Sequence, residues 1–318
     1  MEDENLIRLK YVDKIRGLLY GLLLDKPDVD SQLRAVIDSI DTGELNLPKL
    51  VKLFKSLDTK DVYIQEVTQA DSYIEDPSKS VYEVYDKYAE KEHACLKLTP
   101  EEYKAYCEEK GDSPGKIQID HPITILRAMI IGVFSNWENY STAACMVTHA
   151  SHECILSSMI INCVVHLLIL EDDITSEKIA VSIEVILQYG LKTTKSISQE
   201  IYAELMLFFE DPLRRKIRSI NGSESEYTAF NVASTAVSIA QRYVDKSGDL
   251  PELIFSELED AKKHIPDAEN KDYIITISAA LMCTHCGFDR LVEKFGENKT
   301  AARVRELTDV FFKNISLI

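Results

Sequence analysis

Apolar residues recur at three- and four-residue spacing through most of this chain, and that period specifies helices. "YVDKIRGLLYGLLLD" (residues 11–25) shows it first. "DSQLRAVIDSI" resumes it after the break at Pro27, with Asp30 and Ser31 as N-cap candidates. "NLPKLVKLFKSL" follows, its Pro48 suited to a first helical turn. From Pro122 the apolar density rises. "ITILRAMIIGVFS", "STAACMVTHASHECILSSMIINCVVHLLILED" and "SEKIAVSIEVILQYGL" are successive helix candidates, and "FNVASTAVSIAQRYV" and "ENKDYIITISAALM" are two more. Alternating short strands with hairpin turns are not visible, nor is a repeat of fixed period or a low-complexity linker. The pattern predicts one all-α domain over 1–318, a compact multi-helix fold.

The span 61–120 departs from this pattern and reads as a more exposed insertion. It is rich in Tyr and Glu, with Tyr82, Tyr85 and Tyr88 on a helical stripe of the packing kind. "KGDSPGK" near its end reads as a loop.

Composition excludes some partners. The formal net charge of −17 argues against a nucleic-acid or anionic-membrane surface, because phosphate binding needs a basic footprint. The first residues are acidic, and the run "GLLYGLLL" is too short to span a bilayer, so neither secretion nor membrane association is expected. Seven cysteines, an odd count without framework spacing, point to reduced thiols in a cytoplasmic or nucleocytoplasmic setting. The sequons at Asn139, Asn221, Asn298 and Asn314 then read as chance matches.

Chemistry-bearing residues concentrate in "CTHCG", Cys283 to Gly287. The spacing of Cys283, His285 and Cys286 does not suit the usual zinc pairs. Residues two apart on a helix point to different faces, so Cys283 and His285 do not make a nucleophile and base. What remains is a helix start with small buried thiols. Cys145, Cys154 and Cys163 recur every nine residues, which gives no common face, and read as core filler. His149, in "VTHASHE", is either a packed helical histidine or a cleft residue. Asp25, Asp28 and Asp30 are either an acidic helix start of the kind capping favours or a residual cation site.

Four segments, in this order, resemble the ADP-ribosylglycohydrolase family, a compact all-α fold. "DKIRGLLYGLLLD" is similar to the opening helix, whose Gly-Asp-Ala-Leu-Gly ending would place its Asp at Asp25. "DVDSQLRAVIDSI" with "LNLPKLVKLFKSL" resembles the Thr-Asp-Asp-Thr helix and the helix after it. The stretch from "ITILR" to "VVHLLI" resembles the central block, with its Thr-His pair on Thr148 and His149. "FNVASTAVSIAQ" and "YIITISAALMCTHCGFDRL" resemble the two closing helices. The resemblance implies hydrolysis of the bond between ADP-ribose and a protein side chain or small acceptor. It also implies two Mg²⁺ ions held by the Asp-rich motifs, which orient ribose hydroxyls and a water.

The motif positions depart from that requirement. Thr-Asp-Asp-Thr falls on Asp28, Val29, Asp30 and Ser31, leaving Asp28 and Asp30 as residual metal candidates. The glycine-rich segment falls on "HPITILR", where Arg127 is kept but Pro122, Ile123 and Thr124 replace glycines. The closing Gly-Gly-Asp-Thr-Asp-Thr falls on "LMCTHC", so Cys283 and His285 replace the aspartates and Thr284 is kept. Soft Cys and His ligands do not suit Mg²⁺. The resemblance therefore implies a degenerate, catalytically silent member with no cofactor. It would act by binding, with ADP-ribose as the ligand to test, or as a scaffold for a protein partner. A second reading is an active hydrolase in which Asp25, Asp28 and Asp30 hold Mg²⁺ and His149 or His285 assists. A third is an unrelated helical interaction module, its helices stacked as pairs in an open solenoid.

Overall fold

The computed structural model describes residues 2–24, 29–46, 49–50, 52–53, 122–135, 137–146, 152–193, 228–265 and 270–315. In chain order the first helices are α1 (Glu2–Leu23), α2 (Val29–Asp38), α3 (Ile123–Ala128), α4 (Trp137–Met146), α5 (His152–Leu170) and α6 (Ser176–Thr193). Then come α7 (Thr228–Val244), α8 (Leu250–His264), α9 (Lys271–Cys286), α10 (Phe288–Phe295) and α11 (Lys299–Asn314). A 3-10 segment, Met129–Val133, continues α3, and a two-residue hairpin, β1 (Ile40–Asp41) with β2 (Glu44–Leu45), follows α2.

The core is organised around α9. Every residue from Ile274 to Thr284 is buried, as is Cys286, and a helix apolar on all sides belongs in an interior. Its hydroxyls do not disturb this. Thr276, Ser278 and Thr284 each donate to the carbonyl one turn back, on Asp272, Ile274 and Ala280, at 2.7–2.8 Å. Around it lie α1, α5, α7, α8 and α10. The buried apolar side chains of all these elements form one contiguous cluster. A helix enclosed on all sides is unlike the stacked pairs of an open solenoid.

Helices α1 and α9 approach each other closely, and two glycines allow it. A Cβ on Gly17 would overlap the Cys283 carbonyl oxygen and lie 3.0 Å from its carbon. A Cβ on Gly21 would lie 2.5 Å from Ala280 Cα. With no side chain at those positions, the α1 backbone rests directly on that of α9.

Polar residues of the same helix terminate three other elements. The Tyr11 hydroxyl donates to Val133 O at 2.5 Å, at the end of the 3-10 segment, and burial pushes its pKa up to about 12. The Lys14 ammonium, almost wholly buried, donates to Leu168 O at 2.6 Å and Glu171 O at 2.9 Å. These are carbonyls that the end of α5 leaves without helical partners. Asp172 adds an ion pair to Lys10 and lies 3.8 Å from Lys14 Nζ. Asp13 Oδ1 accepts from the Asp289 N–H at 2.7 Å, capping the start of α10.

Several expected elements differ in extent. The apolar stretch from Ile123 changes from α to 3-10 at Met129, and the segment expected as one helix from Ser141 to Asp172 is two, α4 and α5. Asp30 lies within the first turn of α2, one residue past its start, so it is not the N-cap. The hairpin escapes a strand search because each arm is two residues long. Its Thr42–Gly43 turn, with φ of 48° and 85°, is what closes it. Helix α8 is outside the expected segments, although its signals are local: Asp249 accepts from Glu252 N–H, Pro251 is in the first turn, and Lys262, Lys263 and His264 end it. The tyrosine stripe at Tyr82, Tyr85 and Tyr88, the "KGDSPGK" loop and the rest of the span 61–120 lie outside the described residues.

Candidate functional site

The "CTHC" sequence is the last turn of α9, so the expected helix start is a helix end. Gly287 stops the helix with φ of 87°, a value L side chains rarely adopt, and its N–H closes on Cys283 O at 3.0 Å. The Asp13 carboxylate fills the space a Cβ on Gly287 would need and holds the turn from outside. Burial raises the Asp13 carboxyl above the usual range, and the N–H groups of Asp289 and Phe288 offset part of that rise.

Within this turn the side chains diverge. Cys283 and Thr284 are fully enclosed, the first beneath Gly17 and the second bonded into its own helix. Burial drives the Cys283 thiol far above its ordinary range, so it carries no thiolate at neutral pH. Cys286 is pushed up to about 11 by burial, partly offset by its hydrogen bond with Tyr243. His285 is the one member with some exposure, and its ring meets the Tyr243 ring edge-on, centroids 5.7 Å apart. Burial first, then the charges of Lys14 and Arg290, lower its pKa to about 4. It is neutral at physiological pH, and its buried Nδ1 has no hydrogen-bond partner among the described residues. Tyr243 donates to Leu250 O at 3.2 Å, which ties the start of α8 to this end of α9.

Asp30 is committed elsewhere. Arg303 of α11 grips its carboxylate in a fork, Nε to Oδ1 at 3.0 Å and Nη2 to Oδ2 at 2.9 Å. Nη1 of Arg303 meets Glu306, 2.6 Å away, and Arg34 bridges Asp38 and Glu306. The result is a partly exposed lattice of alternating charge between α2 and α11. Asp30 is thereby neutralised by a guanidinium, and the adjacent Ser31 is exposed.

Asp25, Asp28, Thr148 and His149 lie outside the described residues, as does the Arg127 side chain; Arg127 itself sits on α3. Cys145, Cys154 and Cys163 are buried, in keeping with core filler, though the first is on α4 and the others on α5. His166 Nδ1 bonds Gly132 O at 2.9 Å, a packing role. Two sequon asparagines have structural duties. Asn298 caps α11, accepting from Ala301 N–H at 2.9 Å, and Asn314 donates to Ile37 O at 2.8 Å.

Sequence reasoning missed Asp13, Lys14, Tyr243 and Arg303. Lys14 left a trace, since it shares a helical face with Leu18 and Gly21, where a charge is out of place. Arg303 left none, standing 273 residues from Asp30.

Among the described residues no group of three or more His, Cys, Asp or Glu side chains is arranged to hold a metal ion. The described candidates do not fit Mg²⁺. One carboxylate is occupied by a guanidinium, and the closing turn offers neutral thiols and an imidazole. No helix among the described residues is long and apolar enough to cross a membrane. These residues define an all-α protein. Comparison with known protein families and with curated proteins finds no match to this chain.

Proposed function

We propose that this chain is a catalytically silent protein of ADP-ribosylglycohydrolase-like fold. It works in the cytoplasm or nucleocytoplasm by binding a protein partner or as a scaffold. The observation that carries the proposal is the Asp30–Arg303 fork. A hydrolase of that class needs carboxylates free to coordinate Mg²⁺, a hard cation that demands oxygen ligands in near-octahedral array. Here a guanidinium takes both oxygens of the described carboxylate, and it cannot activate a water as a metal does. The enclosure of Cys283 and Thr284 supports the same reading, because neither side chain can meet a ligand without parting α1 from α9.

The test is to incubate the protein with an ADP-ribosylated protein and with an ADP-ribosylated small acceptor in excess Mg²⁺, and to measure released ADP-ribose. A calorimetric titration of ADP-ribose with and without Mg²⁺ runs alongside. No release and no Mg²⁺-dependent heat are expected. Binding that is indifferent to Mg²⁺ makes the protein a reader of ADP-ribose. Turnover, or binding that requires Mg²⁺, overturns the proposal.

A further inference from the structure

Helix α5 is largely apolar, yet Ser157, Ser158 and Asn162 are buried within it. Asn162 is oriented by one bond, its Nδ2 donating to Ser141 Oγ on α4 at 2.8 Å. Its Oδ1 and the Ser158 hydroxyl have no partner among the described residues, and their residues are 0% and 1% exposed. Positions four apart on a helix share a face. A hydroxyl that can donate and an amide oxygen that can accept therefore stand one turn apart, shut away from bulk solvent and not bonded to each other. Ser157 points about 100° around the helix from Ser158 and is separate.

Buried polar atoms in folded proteins are almost always paired, with protein or with ordered water. One turn separates side chains by about 5–6 Å, which two hydrogen bonds of about 2.8 Å through a single shared atom would span. Both groups are uncharged, so their common partner is neutral and must accept one hydrogen bond and donate another. We infer that one internal water molecule is a built-in part of this protein. It accepts the Ser158 O–H and donates to Asn162 Oδ1. By occupying Oδ1, this water holds the Asn162 amide in the orientation that lets its Nδ2 bond Ser141 on α4.

A crystal structure of the full chain, at a resolution that shows ordered water, tests the site. One peak within hydrogen-bond distance of both Ser158 Oγ and Asn162 Oδ1 is expected. No such peak, with the Ser158 hydroxyl turned to the Cys154 carbonyl one turn back, overturns the inference. A double-mutant cycle of Ser158→Ala and Asn162→Ala gives a second reading. A shared water predicts coupling of about fivefold or more in the unfolding constant, and additivity within about twofold contradicts it. The wild-type structure decides the question even where a variant fails to fold.

Discussion

Replacing Gly17 with alanine tests the packing that places the "CTHC" turn. In an exposed helix the change would stabilise by about 1 kcal/mol, since glycine is the poorer helix former. At this position the new Cβ would overlap the Cys283 carbonyl oxygen and lie 3.0 Å from its carbon and 3.3 Å from Thr284 Cα. All three are backbone atoms, which cannot rotate aside as a side chain can. Ordinary carbon contacts are about 3.5–4.0 Å, so α1 and α9 must part by roughly an ångström locally. Overpacking of this kind costs about 1–3 kcal/mol or more, and the separation loosens buried contacts along both helices. The expected net effect is a loss of about 2 kcal/mol, near a thirtyfold change in the folding equilibrium. Urea unfolding followed by circular dichroism measures it as a lower midpoint at unchanged slope. Because propensity and packing predict opposite signs, the outcome is decisive. A midpoint equal to or above wild type would mean that α1 does not rest on α9 as described.

Three further perturbations probe the same region. His285 has a folded pKa of about 4 against 6.5 unfolded, so the unfolded chain binds the extra proton between those values. Stability therefore falls as pH drops from about 6.5 to about 4, by roughly 3 kcal/mol from this residue, and is unaffected above. His285→Gln should flatten that limb, and parallel pH curves for the two proteins would refute the assignment. Asp13→Ala removes the acceptor for Asp289 N–H and should cost about 1 kcal/mol, with faster amide exchange at Asp289 as its local mark. Lys14→Met keeps the apolar stem but leaves the Leu168 and Glu171 carbonyls without their donor. A loss of about 1–3 kcal/mol is expected in urea unfolding, and unchanged stability would show that these carbonyls find other partners.

Local pattern carried the helices. The 3.6-residue period needs only near neighbours, so α1, α2, α6, α7 and α9 are readable from single stretches, and the all-round apolar character of α9 already marks an interior helix. The same kind of signal, an Asp cap followed by Pro and a basic last turn, is present for α8. The site was not readable in this way. Whether "CTHC" begins or ends a helix depends on Gly287, whose turn is held by Asp13 from the far end of the chain. Asp30 looks like a free carboxylate or a cap until α11 brings Arg303 against it. Periodicity reports which way a residue faces along its own helix. Only the packing of distant helices decides what meets it there, and that determines whether a carboxylate is available, a thiol reachable or an imidazole charged.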